Sequence, residues 1–369
     1  MIQIRSLVLF ALSALSIHAT EPRTLTIDFQ GQGSLNYSQS LDQSFSDSPM
    51  TLRYIPQLRA DYQANPTVRL GLDAALDIYN YSFGDSTLNT SSEFYRLTLR
   101  YDSPRTQIRV GLQKINFGPA RMLRMLQWFD QVDPRDPLAL SPGVWAAMGR
   151  YYFNNGSNIR LWGMRDAPHA WRDLSAPPHD EDDYDFGGRV EYPINSGTLG
   201  FTSHIVQLDR KSQIYEYRYA LDARADLIIG LWTEIVQVHR PSFLPAYRSQ
   251  LSYMVGTDYT FGIGNGLYVS FEMSATQMGS FDTSMPRISY AQAISANYTL
   301  GLSDGLMGYV YLLGTPNTDT QFIPLLGWQH TQGNWLMYIA LYDMPKLATG
   351  GTMILPTGTG LQLNIAYNH

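Results

Sequence analysis

Leu52-Arg53-Tyr54-Ile55-Pro56-Gln57-Leu58-Arg59-Ala60-Asp61-Tyr62, a turn at Asn65-Pro66, and Val68-Arg69-Leu70-Gly71-Leu72-Asp73-Ala74-Ala75-Leu76-Asp77 decide the fold between them. Successive side chains of a strand point to opposite faces, so a period of two sorts these residues into two rows. Leu52, Tyr54, Leu58, Ala60 and Tyr62 make an apolar row against Arg53, Gln57, Arg59 and Asp61. Past the turn, Val68, Leu70, Leu72, Ala74 and Leu76 oppose Arg69, Gly71, Asp73 and Asp77. The pair reads as a long hairpin with one aliphatic and aromatic face and one charged face.

The same grammar runs outward in both directions. Leu25, Ile27 and Phe29 alternate with Thr26, Asp28 and Gln30, and Tyr95, Leu97, Leu99 and Tyr101 with Arg96, Thr98 and Arg100. Tyr217, Tyr219 and Leu221 alternate with Arg218 and Asp222, and Leu361, Leu363, Ile365 and Tyr367 close the chain. Asn154-Asn155-Gly156-Ser157 is a strong hairpin turn. Short connections fall at Asn65, Asp102, Asn154, Asn195, Asp226, Gly264, Asp304 and Gln332. Longer ones fall near 38–50, 82–92, 114–143, 165–183, 239–249, 275–287, 314–324 and 343–358. Tight turns alternating with longer loops predict an all-β, antiparallel transmembrane β-barrel of about 16–18 strands.

A soluble sandwich also alternates, but three features favour the barrel. Aromatics gather at strand ends (Tyr54 and Tyr62, Tyr95 and Tyr101, Tyr151 and Phe153), as at a membrane interface. Charges sit at mid-strand on the other face, which lipid penalises and a watery lumen tolerates. The strands also outnumber those of a sandwich.

Composition agrees. The 369 residues are 44% hydrophobic, 13% aromatic and only 16% charged, with 30 Gly, 25 Tyr and no Cys. Low charge excludes a disordered chain, and the net charge of −6 argues against a nucleic-acid binder. Mean hydropathy is −0.20; with no apolar run of helical span length after the leader, a helical membrane bundle is excluded. Absence of Cys removes disulfide frameworks and thiol chemistry. Residues 1–19 read as a signal peptide: Arg5 gives the positive start, Leu7 to Ile17 the apolar stretch, and Ala19 the cleavage site. Residues 20–369 are then one outer-membrane barrel.

Over that mature length the chain resembles Gram-negative outer-membrane barrels of porin type. Arg109-Val110-Gly111-Leu112-Gln113-Lys114-Ile115-Asn116-Phe117-Gly118, followed by Asp133-Pro134-Arg135-Asp136-Pro137, is similar to a segment of porin-like and alginate-export-type barrels. There a strand leads into a long loop ending in an N/D-P-x-D element. The chain ends in Tyr367-Asn368-His369 where such barrels usually carry a terminal Phe.

Residues 114–143 are the longest connection and an unusually apolar one, with Met122, Leu123, Met125, Leu126, Trp128 and Phe129 around Arg121, Arg124 and Asp130. A short helix over about 119–130, opened by Pro119, is expected. The loop is expected to fold into the lumen as a constriction or plug, with Asp133, Arg135 and Asp136 pinned by lumen charges; packing outside on neighbouring loops is the alternative. The inward face is expected to carry Arg53, Arg59, Arg69, Arg96, Arg100, Arg109, Arg150, Arg160, Arg189, Arg218 and Arg224. Its acids are Asp28, Asp61, Asp73, Asp77, Glu191, Glu216, Asp222, Glu234, Asp258 and Glu272. Arginines dominate early strands and acids later ones, so the walls either set up a transverse field or neutralise each other across strands.

No enzyme or metal motif survives inspection. Asp183, Asp185 and Gly188 fit three places of a calcium loop, but Ile194 stands where a bidentate Glu is required. The histidines show no metal spacing, with His204 and His330 expected at the lumen or an interface, and neither a G-x-S-x-G nor a phosphate loop occurs. The reading is a non-enzymatic, cofactor-free channel for passive diffusion of small polar or anionic solutes. Export of an anionic polysaccharide, or a non-conducting anchor or adhesin, are the alternatives. Partners are outer-membrane lipid and lipopolysaccharide, the barrel-assembly machinery, the polar solute and, where it assembles, a second copy of the chain.

Overall fold

The computed structural model describes residues 24–41, 48–83, 86–129, 138, 140–141, 143–165, 184–209, 213–241, 248–279, 287–316, 319–344 and 358–369. They form eighteen strands. The first nine are β1 (Thr24–Ser40), β2 (Pro49–Asn65), β3 (Val68–Phe83), β4 (Ser86–Asp102), β5 (Thr106–Gln113), β6 (Val144–Tyr152), β7 (Asn158–Arg165), β8 (Tyr184–Ile194) and β9 (Gly197–Asp209). The rest are β10 (Ile214–Asp226), β11 (Gly230–His239), β12 (Ser249–Phe261), β13 (Leu267–Met278), β14 (Arg287–Thr299), β15 (Asp304–Gly314), β16 (Gln321–Gln332), β17 (Trp335–Met344) and β18 (Gly358–Asn368).

Each strand pairs antiparallel with its sequence neighbours, and β1 also pairs with β18 from Gln32↔Asn368 to Ser40↔Gly360. The sheet therefore closes, with no free edge over that length. His369 extends the closure: its backbone exchanges hydrogen bonds with Gly31, and its ring stacks on Tyr54. The ring thus stands among the outward aromatics Phe29, Tyr54 and Tyr367.

Two connections differ from the sequence reading. β9 ends at Asp209 and the antiparallel β10 begins at Ile214, a further strand boundary that completes the count of eighteen. The long loop expected at 82–92 is strand instead, since β3 runs to Phe83 and β4 starts at Ser86. Register shifts at Ala75/Leu76 and Tyr81/Ser82, each with an extra residue in β4, break the period of two, and Ser, Thr and Asn make up most of 86–92.

The outward rows form an apolar belt. Leu161, Leu221 and Leu326 are 63%, 56% and 59% exposed, a surface that only lipid can cover over so wide a band. The packed core lies inside the barrel. Trp162, Val206, Trp232, Val236, Met254 and Tyr338 point inward and are buried. Where a wet, charge-lined interior is expected, part of the inner wall is apolar, because the chain itself supplies a partner for it.

That partner is the segment after β5. β5, β6 and β7 span only eight or nine residues, against 16 or 17 in β2–β4, so the wall is low on this side. The chain leaves β5 at mid-height and turns into the lumen. Gly111, at φ 123°, makes the bend at the end of β5, where a Cβ would overlap the carbonyl oxygen of Leu97.

Candidate functional site: a pinned loop across the lumen

Residues 114–129 cross the lumen and touch three parts of its wall. Ile115, Phe117, Leu126, Trp128 and Phe129 pack with Trp162, Met164 and Val236 in one apolar cluster. Ala120 sits with Trp232 and Met254. Met122 and Leu123 reach a further cluster made by Tyr311, Ile323, Leu325 and Tyr338 of β15–β17.

Two glutamates hold the crossing in place. Glu234 on β11 accepts the backbone N–H of Ala120 at 3.0 Å, Met125 at 2.9 Å and Leu126 at 3.1 Å. Glu272 on β13 accepts those of Arg121 at 2.7 Å, Met122 at 2.8 Å and Leu123 at 2.6 Å, and the Trp232 indole at 2.9 Å. Both carboxylates are buried, at 1% and 0% exposure, so seven donors replace their water. Arg121 adds an ion pair to Asp258 at 3.0 Å, a hydrogen bond to the Tyr268 hydroxyl, and the faces of Trp232 and Tyr268.

This clamp explains why the helix expected over 119–130 is absent. The segment is bends and turns, with its N–H groups turned sideways onto carboxylates rather than back to preceding carbonyls. Gly118 makes the approach workable. Its φ is 90°, and a Cβ there would collide with Glu234 Oε1. Gly118→Ala is therefore expected to loosen the loop at an otherwise intact barrel, with faster proteolysis at 119–129 and unchanged heat-modified electrophoretic mobility as the readout.

On this side, Trp128, Phe129 and Trp162 surround His204. Phe129 meets the imidazole edge-on at 4.8 Å, Trp128 stacks on it at 5.9 Å, and the Trp162 indole donates to Nδ1 at 3.3 Å. His204 thus faces the lumen as a packing residue, whereas His330 sits near the short-turn end with Asp304 at 2.9 Å.

The arginines named from the sequence are spread over the wall, and most have partners. Arg53 pairs with Asp77. Arg100 bridges Asp61 at 2.8 Å and Asp73 at 2.6 Å, and Arg59 reaches Asp61 at 2.8 Å. Arg150 pairs with Glu191 at 2.8 Å, and Arg189 with Asp222 at 2.6 Å. Arg69 donates to Gln63 at 3.3 Å, and Arg121 and Arg124 travel with the loop. Asp133, Arg135, Asp136 and the acidic run 180–183 lie outside the described residues.

Besides Arg69, the inward arginines Arg96, Arg109 and Arg160 make no ion pair with a carboxylate among the described residues. Arg109 stands directly opposite Arg100 in the ladder and makes no ion pair among the described residues. Arg160 lies between Arg150 and Arg189 in register, and its Nε is buried without a hydrogen-bond partner. Arg96 donates to the carbonyls of Tyr95 and Ser141. Below the loop, a cavity of about 370 Å³ is lined by Arg59, Arg96, Arg100, Arg109 and Lys114 against Asp28 and Asp73. Above it, a larger chamber of about 1190 Å³ opens toward the long connections.

No protein-family model matches the sequence, and no curated protein matches it. Solved structures do. OccD3 of Pseudomonas aeruginosa matches with a TM-score of 0.60 at 10% identity, over 93% of this chain and 91% of that one. OccK11 of the same organism gives 0.58 at 12%, covering 93% and 95%. An anion-selective porin from Comamonas acidovorans gives 0.54 at 14%, covering 94% and 100%. The fold is that of an outer-membrane porin.

Within this porin fold the sequence missed the two residues that position the loop. Glu234 and Glu272 were expected among the inward acids but not at the constriction. A signal was present: Trp232, Glu234, Val236 and Val238 form an inward row with one acid among apolar residues, while Leu231 and Ile235 are apolar on the outward face. A porin strand apolar on both faces has something packed inside it.

Proposed function

We propose that the chain is an outer-membrane channel for passive diffusion of small solutes, with a preference for anions. The observation that carries this is the cavity beneath the loop, where five cationic side chains face two carboxylates. Arg109 lies across from Arg100, and like charges opposed in a ladder repel. Arg100 is held by Asp61 and Asp73, so Arg96 and Arg109 are the cations whose field favours entry of an anion over that of a cation. The anion selectivity of the Comamonas acidovorans porin is in keeping with this reading. By the barrel convention the short turns face the periplasm and the long connections the exterior.

The test is the reversal potential of the full chain in a planar bilayer under a salt gradient. Anion preference is expected, and Arg96→Gln with Arg109→Gln is expected to shift it toward cations while the conductance stays of the same order. Cation selectivity of the unmodified chain would overturn the reading. A second reading, a sealed barrel serving as a surface anchor, draws on the dry packing of the loop against β7–β17. Absence of any steady conductance would select it.

A further inference from the structure

We infer that the rim end of β1 takes up an extended segment of a periplasmic protein as an added strand. The β1–β18 ladder runs from Ser40↔Gly360 down to Gly31, which exchanges both backbone hydrogen bonds with His369. β1 starts at Thr24, so residues 24–30 overhang that ladder while staying paired with β2 from Thr24↔Gln63 to Gln30↔Gln57. The overhang has one bonded flank and one open flank. It lies beside the Asn65-Pro66 turn, one of the short turns of the periplasmic side.

The backbone groups on the open flank follow from the pairing. In an antiparallel ladder, alternate residues point both N–H and C=O at the same neighbour. Gly31 points its own at β18, and β1 pairs with β2 without a register shift, so Phe29, Ile27 and Leu25 point theirs the same way. None of the three has a backbone partner on that flank among the described residues. The stretch also lacks what usually blunts an edge: Thr24-Leu25-Thr26-Ile27-Asp28-Phe29-Gln30 holds no Pro, no Lys and no bulge. Leu25, Ile27 and Phe29 turn their side chains outward as well, at 63%, 63% and 57% exposure.

The chemistry of the edge selects its occupant. Lipid chains carry no group that pairs with an N–H or a C=O. A second copy pairing antiparallel through this edge would be related by a two-fold axis normal to the sheet; that axis lies in the membrane plane and would invert one barrel. An extended segment arriving from the periplasm meets neither obstacle. It lies in line with β18 and continues the existing ladder, with apolar side chains at the positions opposite Leu25, Ile27 and Phe29. Asp28 sets the charge. Its register partner Arg59 is engaged by Asp61 at 2.8 Å, and Asp28 itself makes no ion pair among the described residues, accepting from the Gln30 amide at 2.6 Å. A cation opposite Asp28 completes the match.

The experiment uses the full chain in nanodiscs and a labelled heptapeptide capped at both ends, Thr-Val-Lys-Val-Thr-Val-Thr, read by fluorescence anisotropy. Its three valines fall opposite Phe29, Ile27 and Leu25, and its lysine opposite Asp28. Saturable binding is expected to nanodiscs carrying the chain and not to empty ones. Ile27→Pro is expected to weaken it about tenfold or more, because proline removes an N–H that faces the peptide and none that faces β2. Heat-modified electrophoretic mobility should stay unchanged in this variant. With the unmodified chain, N-methylation of the central valine is expected to weaken binding about as much, N-methylation of the lysine should leave it intact because that N–H points away from β1, and glutamate in place of lysine should weaken it. Binding no greater than to empty nanodiscs, or binding indifferent both to Ile27→Pro and to the position of the methyl group, overturns the proposal. The measurement needs no current: a chain that binds the peptide without conducting keeps the added strand and removes the channel, and a conducting chain that ignores the peptide removes the added strand alone.

Discussion

Replacing Glu234 and Glu272 together by glutamine is expected to release the loop and raise single-channel conductance severalfold. Each glutamine keeps one acceptor oxygen and turns the other into an N–H that confronts the backbone donors. At Glu234 this strands at least the Ala120 N–H, because Oε1 serves one donor and Oε2 serves Met125 and Leu126. At Glu272 it strands two, since each oxygen accepts a pair. An orphaned buried donor costs about 1–3 kcal/mol, so the loop loses at least about 3 kcal/mol of anchoring. No ladder hydrogen bond of the barrel is removed, and the folded barrel should retain its electrophoretic signature. Single-channel recording and limited proteolysis of 119–129 check this. Unchanged conductance with an unchanged cleavage rate would show that the apolar contacts alone hold the loop.

Those contacts are tested by Trp128→Ala, the second large effect. Trp128 is 2% exposed and meets Phe117 edge-on at 5.8 Å, His204 face-on at 5.9 Å and the Arg218 guanidinium at 5.7 Å. Truncating a buried tryptophan costs about 3–5 kcal/mol, and the lost ring contacts about 0.5–1.5 kcal/mol more. The expected result is a noisy, partly open channel, as the 124–129 segment leaves the wall of β7–β10 while Glu272 still holds 121–123. Leu126 and Trp128 share one short segment, so Trp128→Ala and Glu234→Gln should combine non-additively. A double-mutant cycle on the loop cleavage rate reads that coupling. Strict additivity would mean that the two anchors act on separate parts of the loop.

The two variants also divide the solute path. Glutamine at 234 and 272 opens the passage between the upper chamber and the cationic cavity, and the selectivity set by Arg96 and Arg109 should survive. Trp128→Ala removes part of the chamber floor along with the constriction.

Much of this protein was determined by its sequence alone. The period-two rows of 52–62 and 68–77 specify long two-faced strands, because the direction of a side chain from an extended backbone depends only on its neighbours. The alternation of tight turns and long connections specifies a closed barrel, and the apolar stretch after Gln113 marks the loop that enters it. The limits lay where local pattern carries no information. Bulges in β4 hid a hairpin that the period should have shown. The helix expected over 119–130 failed because its backbone donors found acceptors 108 to 151 positions away. Likewise, the arginine-rich and acid-rich stretches do not face each other as intact walls. Arg189 meets Asp222 and Arg53 meets Asp77 because register brings them together.

Only the tertiary structure decided that part of the lumen is apolar, that Glu234 and Glu272 are anchors rather than pore charges, and that Arg109 and Arg160 make no ion pair among the described residues. Alternation says which face a residue occupies. What occupies the space in front of that face is a matter of closure and docking, and those join residues that the sequence keeps far apart.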